Sequence, residues 1–354
     1  MNRRELLQGF GGVAALLAGA AVRAVPTEAL PGEPVDPSSL RMLSDGLKGP
    51  EGPSVLPDGS VVVAEFLEGN LWRVDGRGGR ELLASPGSGV AGTAIGRDGS
   101  LYVVRLDMDL FKTRYAPRPA TTGTLADAAD GAAKAATGAL LRIDLLEGST
   151  RTLSGSTTTA ALQGPDDLVI DRWGDIWFTD LIEKAVYWCR ADGGETRRVL
   201  AGCDGVNGIA LSPDLRRLHI VGNGKMLAVP IIGRGTLGAT GPGRGFDGAP
   251  LLPNTHLPDG MKTEANGNVL CACWEDGLVC YAPDGQALSQ TRIGNLRIIN
   301  MVFGGPDMRT LFMAVIPPSG MLGGLASIRW PRPGLPLAGA GLHGVDRHAQ
   351  RIGT

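Results

Sequence analysis

A fifteen-residue frame that recurs six times without a gap constrains this chain more than any other feature. It reads EGPSVLPDGSVVVAE at 51–65 and returns at 91–105, 166–180, 207–221, 259–273 and 300–314. Its eighth and ninth places are Asp58-Gly59, Asp98-Gly99, Trp173-Gly174, Asp214-Leu215, Asn266-Gly267 and Asp307-Met308. Apolar runs flank this turn on both sides, which is the signature of a β-hairpin. Hairpins repeated at intervals of about 40 residues or a stretched version of that length, several short strands per unit, predict an all-β chain folded as a β-propeller. The 54 glycines suit many tight turns and little long helix. A length of 354 residues would allow two domains, but the repeats argue for one closed ring. The net charge of −2 offers no basic surface for a nucleic-acid partner.

Counting strands predicts how the ring closes. The last frame supplies strands near 301–304, 310–316 and 324–330, and Trp330-Pro331-Arg332-Pro333-Gly334 then cannot run as a central strand. The last blade is one strand short, while residues 40–47 read as a strand with no blade of its own. The expectation is a six-bladed β-propeller closed by an N-terminal strand completing the last blade, which removes two exposed edges at once. The propeller should span 39–336, between a linker at 25–38 and a loose tail at 337–354. An insertion at 106–138 carries Asp107, Asp109, Lys112, Arg114 and Tyr115, then an alanine-rich piece near 125–136 expected as a short helix. It leaves the ring on the face of the channel mouth, so it is a candidate lid. A glycine-rich excursion at 233–248 is expected on the opposite face.

Residues 1–24 read as an export signal: Arg3-Arg4, a short apolar run at 9–22, and small residues to Ala24. The run is too short to span a bilayer. The arginine pair in Asn2-Arg3-Arg4-Glu5-Leu6-Leu7 resembles a twin-arginine signal, with an ordinary secretory signal as the alternative. Either way the mature chain is expected to be periplasmic or secreted, with no membrane span. Of the five cysteines, Cys273 and Cys280 should face each other across a hairpin turning at Asp276-Gly277. A disulfide there would be strained, so buried free thiols are favoured.

The first place of the frame carries the chemistry. It holds Glu51, Ala91, Asp166, Asn207, Asp259 and Asn300, just before the innermost strand of each blade, so all six ring one mouth of the channel. Glu51, Asp166, Asn207 and Asp259 bring three carboxylates and an amide to one axis. Such a set repels itself unless a cation neutralises it. All-oxygen donors suit a hard divalent ion, Ca²⁺ above all, with Mg²⁺ or Mn²⁺ as alternatives and Zn²⁺ less favoured without a histidine. A single polar residue in such a place more often caps a strand or binds water; it is the repetition that argues for a metal. The fifteenth place, which includes Arg105 and Asp180, lies at the same mouth slightly further out. Asp166, Arg105, Asp180 and Asn300 are therefore candidates for binding substrate. For Arg105 a surface ion pair is an equal alternative. His219, His256, His343 and His348 show no metal-ligand spacing, and no H-E-x-x-H or G-x-S-x-G is present.

Gly49-Pro50-Glu51-Gly52-Pro53, Gly164-Pro165-Asp166-Asp167-Leu168, Phe178-Thr179-Asp180, Asn207-Gly208-Ile209, Pro258-Asp259-Gly260-Met261 and Phe303-Gly304-Gly305 occur in one order over about residues 40–335. In this the chain resembles the senescence-marker-protein/gluconolactonase/luciferin-regenerating-enzyme family. The resemblance implies a six-bladed propeller with one divalent metal in its channel and, for many members, hydrolysis of sugar-acid lactones. It implies Glu51, Asn207 and Asp259 as direct metal ligands and Asp259 as the candidate general base. Asp166 stands where the family usually has Asn, beside metal and substrate, and could share the base role. Ala91 stands where many bacterial relatives carry Asn, so substrate recognition is expected to differ while the ligand set is intact. The leading expectation is a metal-dependent hydrolase opening a lactone or related cyclic ester. The rival is a non-catalytic, metal-containing propeller that binds a small ligand or a protein.

Overall fold

The computed structural model describes residues 30–115, 137–154, 162–238, 249–250, 258–274 and 276–336. Within them the chain forms six sheets, each built from strands consecutive in sequence except one. The exception is the closing blade. There β1 (Arg41–Lys48) pairs antiparallel with β25 (Leu322–Arg329), outside β24 (Thr310–Ile316) and the innermost β23 (Arg297–Gly304). The N-terminal strand does complete the last blade, and β25 ends where the Pro-rich segment begins. Leu47 on β1 is fully buried against Val61, Val63, Val74 and Leu325, which fastens the last blade to the first.

The six innermost strands are β2 (Pro50–Val55), β6 (Val90–Ile95), β10 (Pro165–Ile170), β14 (Ile209–Leu211), β19 (Met261–Thr263) and β23. Each packs beside the next and β23 returns to β2, so the ring is closed. Second strands such as β3 (Val61–Glu65) and β11 (Ile176–Asp180) are buried along their whole length, whereas the outermost β5 (Arg80–Ala84) and β13 (Thr196–Ala201) are largely exposed. This explains their near-continuous apolar sequence: a blade is covered by a neighbour on both faces. The core lies between blades, as where Val62, Ala64 and Leu71 of blade 1 meet Leu101, Val103 and Leu141 of blade 2.

The hairpin turns follow the frame. At the eighth place Asp58, Asp98, Asp214, Asn266 and Asp307 each accept a hydrogen bond from the backbone N–H two residues on. The ninth place is left-handed in every copy, and glycine fills it in four. Leu215 (φ 54°) and Met308 (φ 55°) adopt the same conformation with a side chain.

Several expectations are corrected in detail. The described part of the insertion begins with α1 (Met108–Tyr115), while the alanine-rich piece expected as a short helix lies outside the described residues together with most of the candidate lid. Asp107 caps α1, accepting from the N–H groups of Asp109 and Leu110, and its other oxygen accepts from the Thr137 N–H and hydroxyl. One buried carboxylate thus ties the departing and returning ends of the insertion together. Residues 31–33 of the expected linker are docked: the Gln290 N–H donates to the Pro31 carbonyl, and the Arg332 guanidinium bridges Glu33 and Glu264. Cys280 stands opposite Leu270, not Cys273, because Cys273 already belongs to the turn that Gly277 closes. All five cysteines are free and buried. In blade 4 the outer place is split between β17 (Thr236–Leu237) and β18 (Ala249–Pro250), both on β16 (Lys225–Gly233), while 239–248 lie outside the described residues. The same holds for 1–29, His256 and the tail from 337. No helix among the described residues is long and apolar enough to cross a membrane.

Candidate functional site

The second place of the frame explains how the first-place residues are brought together. A Cβ on Gly52 would lie 2.2 Å from the Ala91 carbonyl oxygen, and one on Gly208 would lie 2.2 Å from that of Asp259. A Cβ on Gly92 would lie 2.8 Å from the Asp166 carbonyl oxygen, and one on Gly260 would lie 2.2 Å from the Asn300 side-chain amide. Only a residue without a side chain allows this approach between neighbouring blades. In blade 3 the place is Asp167, which is 2 % exposed and whose Oδ1 accepts from the Leu168 N–H. The circle closes where the Asn300 amide Nδ2 donates to Glu51 Oε2 at 3.4 Å. Glu51, Asp166 and Asn300 lie inside their strands, not ahead of them. The register of β2 slips between Glu51 and Ser54, that of β10 between Pro165 and Leu168, and that of β23 between Ile298 and Asn300. Such bulges turn a side chain out of the regular alternation.

The electrostatics agree with a shared basin. The carboxyl groups of Glu51, Asp166 and Asp259 are all pushed well above the usual carboxylate range, in each case chiefly by burial. The next cause is a neighbour's charge: Asp259 acting on Glu51, Glu51 on Asp166, and Asp166 on Asp259. Two donors work against this at Asp259. Trp274 Nε1 donates to its Oδ2 at 2.9 Å, and the Asn207 amide also hydrogen-bonds to it. Asn207 Oδ1 is buried with no hydrogen-bond partner, a costly state for an amide oxygen. Among the described residues no three His, Cys, Asp or Glu side chains converge tightly enough to cage an ion by themselves. The candidate set is instead two carboxylates and an amide, Glu51, Asp259 and Asn207. An orphaned amide oxygen beside carboxylates that resist ionising is what an oxygen-ligated divalent cation would satisfy.

Two of the candidate substrate contacts have other work. Arg105 donates to the Pro86 carbonyl at 2.7 Å and to the Thr137 carbonyl at 3.0 Å, which fastens the segment between blades 1 and 2 to the end of the insertion. Both arms of its guanidinium are engaged away from the carboxylates. Asp180 is fully buried and accepts from the backbone N–H groups of Gln163, Gly164 and Glu183. It therefore shapes the approach to Asp166. Glu65 does the same in blade 1, accepting from the Lys48 N–H and from Trp72 Nε1. Asn300, 2 % exposed, does join the set.

Three participants were not singled out from sequence: Trp274, Lys262 and the burial of Asp167. Lys262 had a readable signal. It occupies the fourth place of the frame, where the other copies have Ser54, Ala94, Val169, Ala210 and Phe303. Trp274 falls one residue past the frame and had none.

The family described as the SMP-30/Gluconolactonase/LRE-like region matches residues 50–316. The lactonohydrolase oryL of Aspergillus oryzae is 26% identical over 286 residues, 71% of this chain and 59% of that protein. The pentonolactonase XacC of Haloferax volcanii is 36% identical over 58 residues, 16% of this chain and 20% of its own length. This chain thus matches less than two thirds of either relative. Among solved structures, a gluconolactonase from Xanthomonas campestris superposes with a TM-score of 0.62 at 20% identity, covering 88% of this chain and 100% of that one. The calcium-binding protein regucalcin from Agrobacterium tumefaciens gives 0.62 at 16% identity, over 88% and 100%. At such identities these likenesses speak for the fold alone. The family match, however, runs from Pro50, beside the first candidate ligand, to Ile316 at the end of β24, and so takes in all six innermost strands and every first-place residue. The chain belongs to the SMP-30/gluconolactonase/LRE-like family.

Proposed function

We propose that the protein is a metal-dependent hydrolase that opens a lactone at the channel mouth. The observation that carries this reading is a set of mutually repelling carboxylates, Glu51, Asp166 and Asp259, each resisting ionisation, with the unpartnered Asn207 Oδ1 on the amide beside Asp259. The matches to a lactonohydrolase and a pentonolactonase support the substrate class. Glu51, Asn207 and Asp259 would hold the ion, with Ca²⁺ the first candidate and Mn²⁺, Mg²⁺ or Zn²⁺ as alternatives. Once bound, the ion supplies Lewis acidity toward the substrate carbonyl.

The remaining steps fall to side chains. Trp274 fixes the orientation of Asp259 through its indole N–H. Asn300 holds Glu51. Asp166, outside the proposed ligand set, keeps a carboxyl whose proton affinity burial and the Glu51 charge raise above the usual carboxylate range, the direction that general acid–base work requires. It would take a proton from the attacking water as the new C–O bond forms. It would return that proton to the ring oxygen as the lactone C–O bond breaks, yielding the hydroxy acid. Asp259, the family's expected base, is here assigned to the ion, with the Trp274 bond as the reason.

A pH-indicator assay against aldonolactones and simple lactones tests the reading, with chelator and with each ion restored. Turnover lost to chelator and recovered with one ion is the expected result. Glu51→Gln should lower ion affinity and rate together, whereas Asp166→Asn should keep ion affinity and lose about 10²- to 10⁴-fold in rate. Ion binding with no turnover of any lactone would favour a binding protein instead. The reading includes export of the chain through its N-terminal arginine pair. Cell fractionation tests this, with Arg3→Lys and Arg4→Lys together expected to retain a twin-arginine substrate inside.

A further inference from the structure

Beside the carboxylate circle sits a charge that the proposed reaction does not use. Lys262 is on β19, three residues along the chain from Asp259, and is only 8 % exposed. A buried lysine is rare unless its ammonium is paired. Here Nζ is surrounded by oxygens from three blades. It donates to the Met261 carbonyl at 2.9 Å and to Asn300 Oδ1 at 3.5 Å, and it lies 4.0 Å from Asp167 Oδ2. Asp167 is itself 2 % exposed, and that oxygen has no hydrogen-bond partner. Its other oxygen is committed to the Leu168 N–H at 2.9 Å.

Two consequences follow from the geometry. The ammonium offsets Asp167, which takes one of four neighbouring carboxylates out of the set that faces a cation. It also sets the Asn300 amide. Asn300 Oδ1 faces Lys262 and the Met301 N–H, so Nδ2 must face Glu51. We propose that Lys262 is a fixed counter-cation of the metal site. It neutralises Asp167, orients Asn300 as a donor to Glu51, and holds the affinity of the circle for a divalent ion below what its carboxylates alone would give. This rests on the reading that the circle binds such an ion.

A lysine that merely filled the channel would change stability when replaced and leave ion affinity where it was. The proposal instead requires replacement to tighten binding, the opposite of what a damaged site does. The test is calorimetric titration of the full chain with Ca²⁺. Lys262→Met should bind about tenfold more tightly or better, the scale expected for removing one buried unit charge near a divalent ion at an effective dielectric of about 20. Asp167→Asn, which leaves the ammonium uncompensated, should weaken binding by a similar factor, and the double variant should return close to the parent. Lys262→Gln serves if the methionine variant does not fold, with the same expected direction. Unchanged or weaker binding by the folded lysine variants would overturn the proposal and leave the metal site standing. A parent chain that bound no divalent ion would overturn both.

Discussion

Asn207 shows how much one amide can reveal. A buried oxygen without a partner costs roughly 1–3 kcal/mol in a folded chain. Replacing Asn207 by leucine of similar size should therefore leave the ion-free protein as stable as the parent or more so by about 1 kcal/mol. The same variant should lose the rise in melting temperature that Ca²⁺ gives the parent. Thermal unfolding with and without the ion reads both effects. His219 gives a different signal. Burial, with the Arg217 charge adding to it, lowers its pKa from 6.5 to about 4. The native state holds this imidazole neutral, so its contribution is complete above about pH 6.5 and is lost as pH falls toward 4. The amount is roughly 3 kcal/mol. His219→Gln should flatten that acid limb when unfolding is followed in the presence of Ca²⁺.

At the level of elements, the hairpin turns and the clamps behind them do most of the positioning. Gly59 has φ 87° and open space around it, so the cost of a side chain there is conformational alone. Gly59→Ala should destabilise by about 1–2 kcal/mol in urea unfolding, without affecting ion affinity. Asp180 is a clamp of another kind, since its two oxygens hold the backbone of 163–164 and of Glu183. Asp180→Ala should cost more than Gly59→Ala, because it strands three N–H groups next to Asp166. The turns were readable because Asp-Gly chemistry is local. The clamps were not: the fifteenth place pointed to the correct face of the propeller, but which way Arg105 and Asp180 turn depends on carbonyls and N–H groups contributed by other parts of the ring.

Across the whole molecule, the carboxylate circle makes stability a function of pH and of cation. Glu51, Asp166 and Asp259 keep their protons in the folded state to higher pH than in the unfolded chain. Between the ordinary carboxylate range, about pH 4, and those raised values the native state binds more protons. In chelator the protein should thus lose stability as pH rises through that window, and Ca²⁺ should abolish the loss by taking the place of the protons. A melting series across pH in both conditions checks the sign. Closure is the other property of the whole. Removing residues through Lys48 would uncover the edge of β25 and the cavity filled by Leu47. The truncated chain should aggregate or lose its cooperative transition, because an opened ring exposes two edges.

The repeat of turns and apolar runs was enough to dictate six blades, the shared place of Glu51, Asp166, Asn207 and Asp259, and the use of a strand near residues 40–47 to close the ring. These rest on local hairpin chemistry and on strand counting, which are properties of the chain taken in order. Tertiary structure alone decided that Arg105 and Asp180 brace loops, that Trp274 reaches Asp259, and that Lys262 lies beside Asp167 and Asn300. Those contacts join residues from different strands and loops, and in the case of Lys262 from different blades, where close packing and burial, not spacing along the chain, select the partner of each charge.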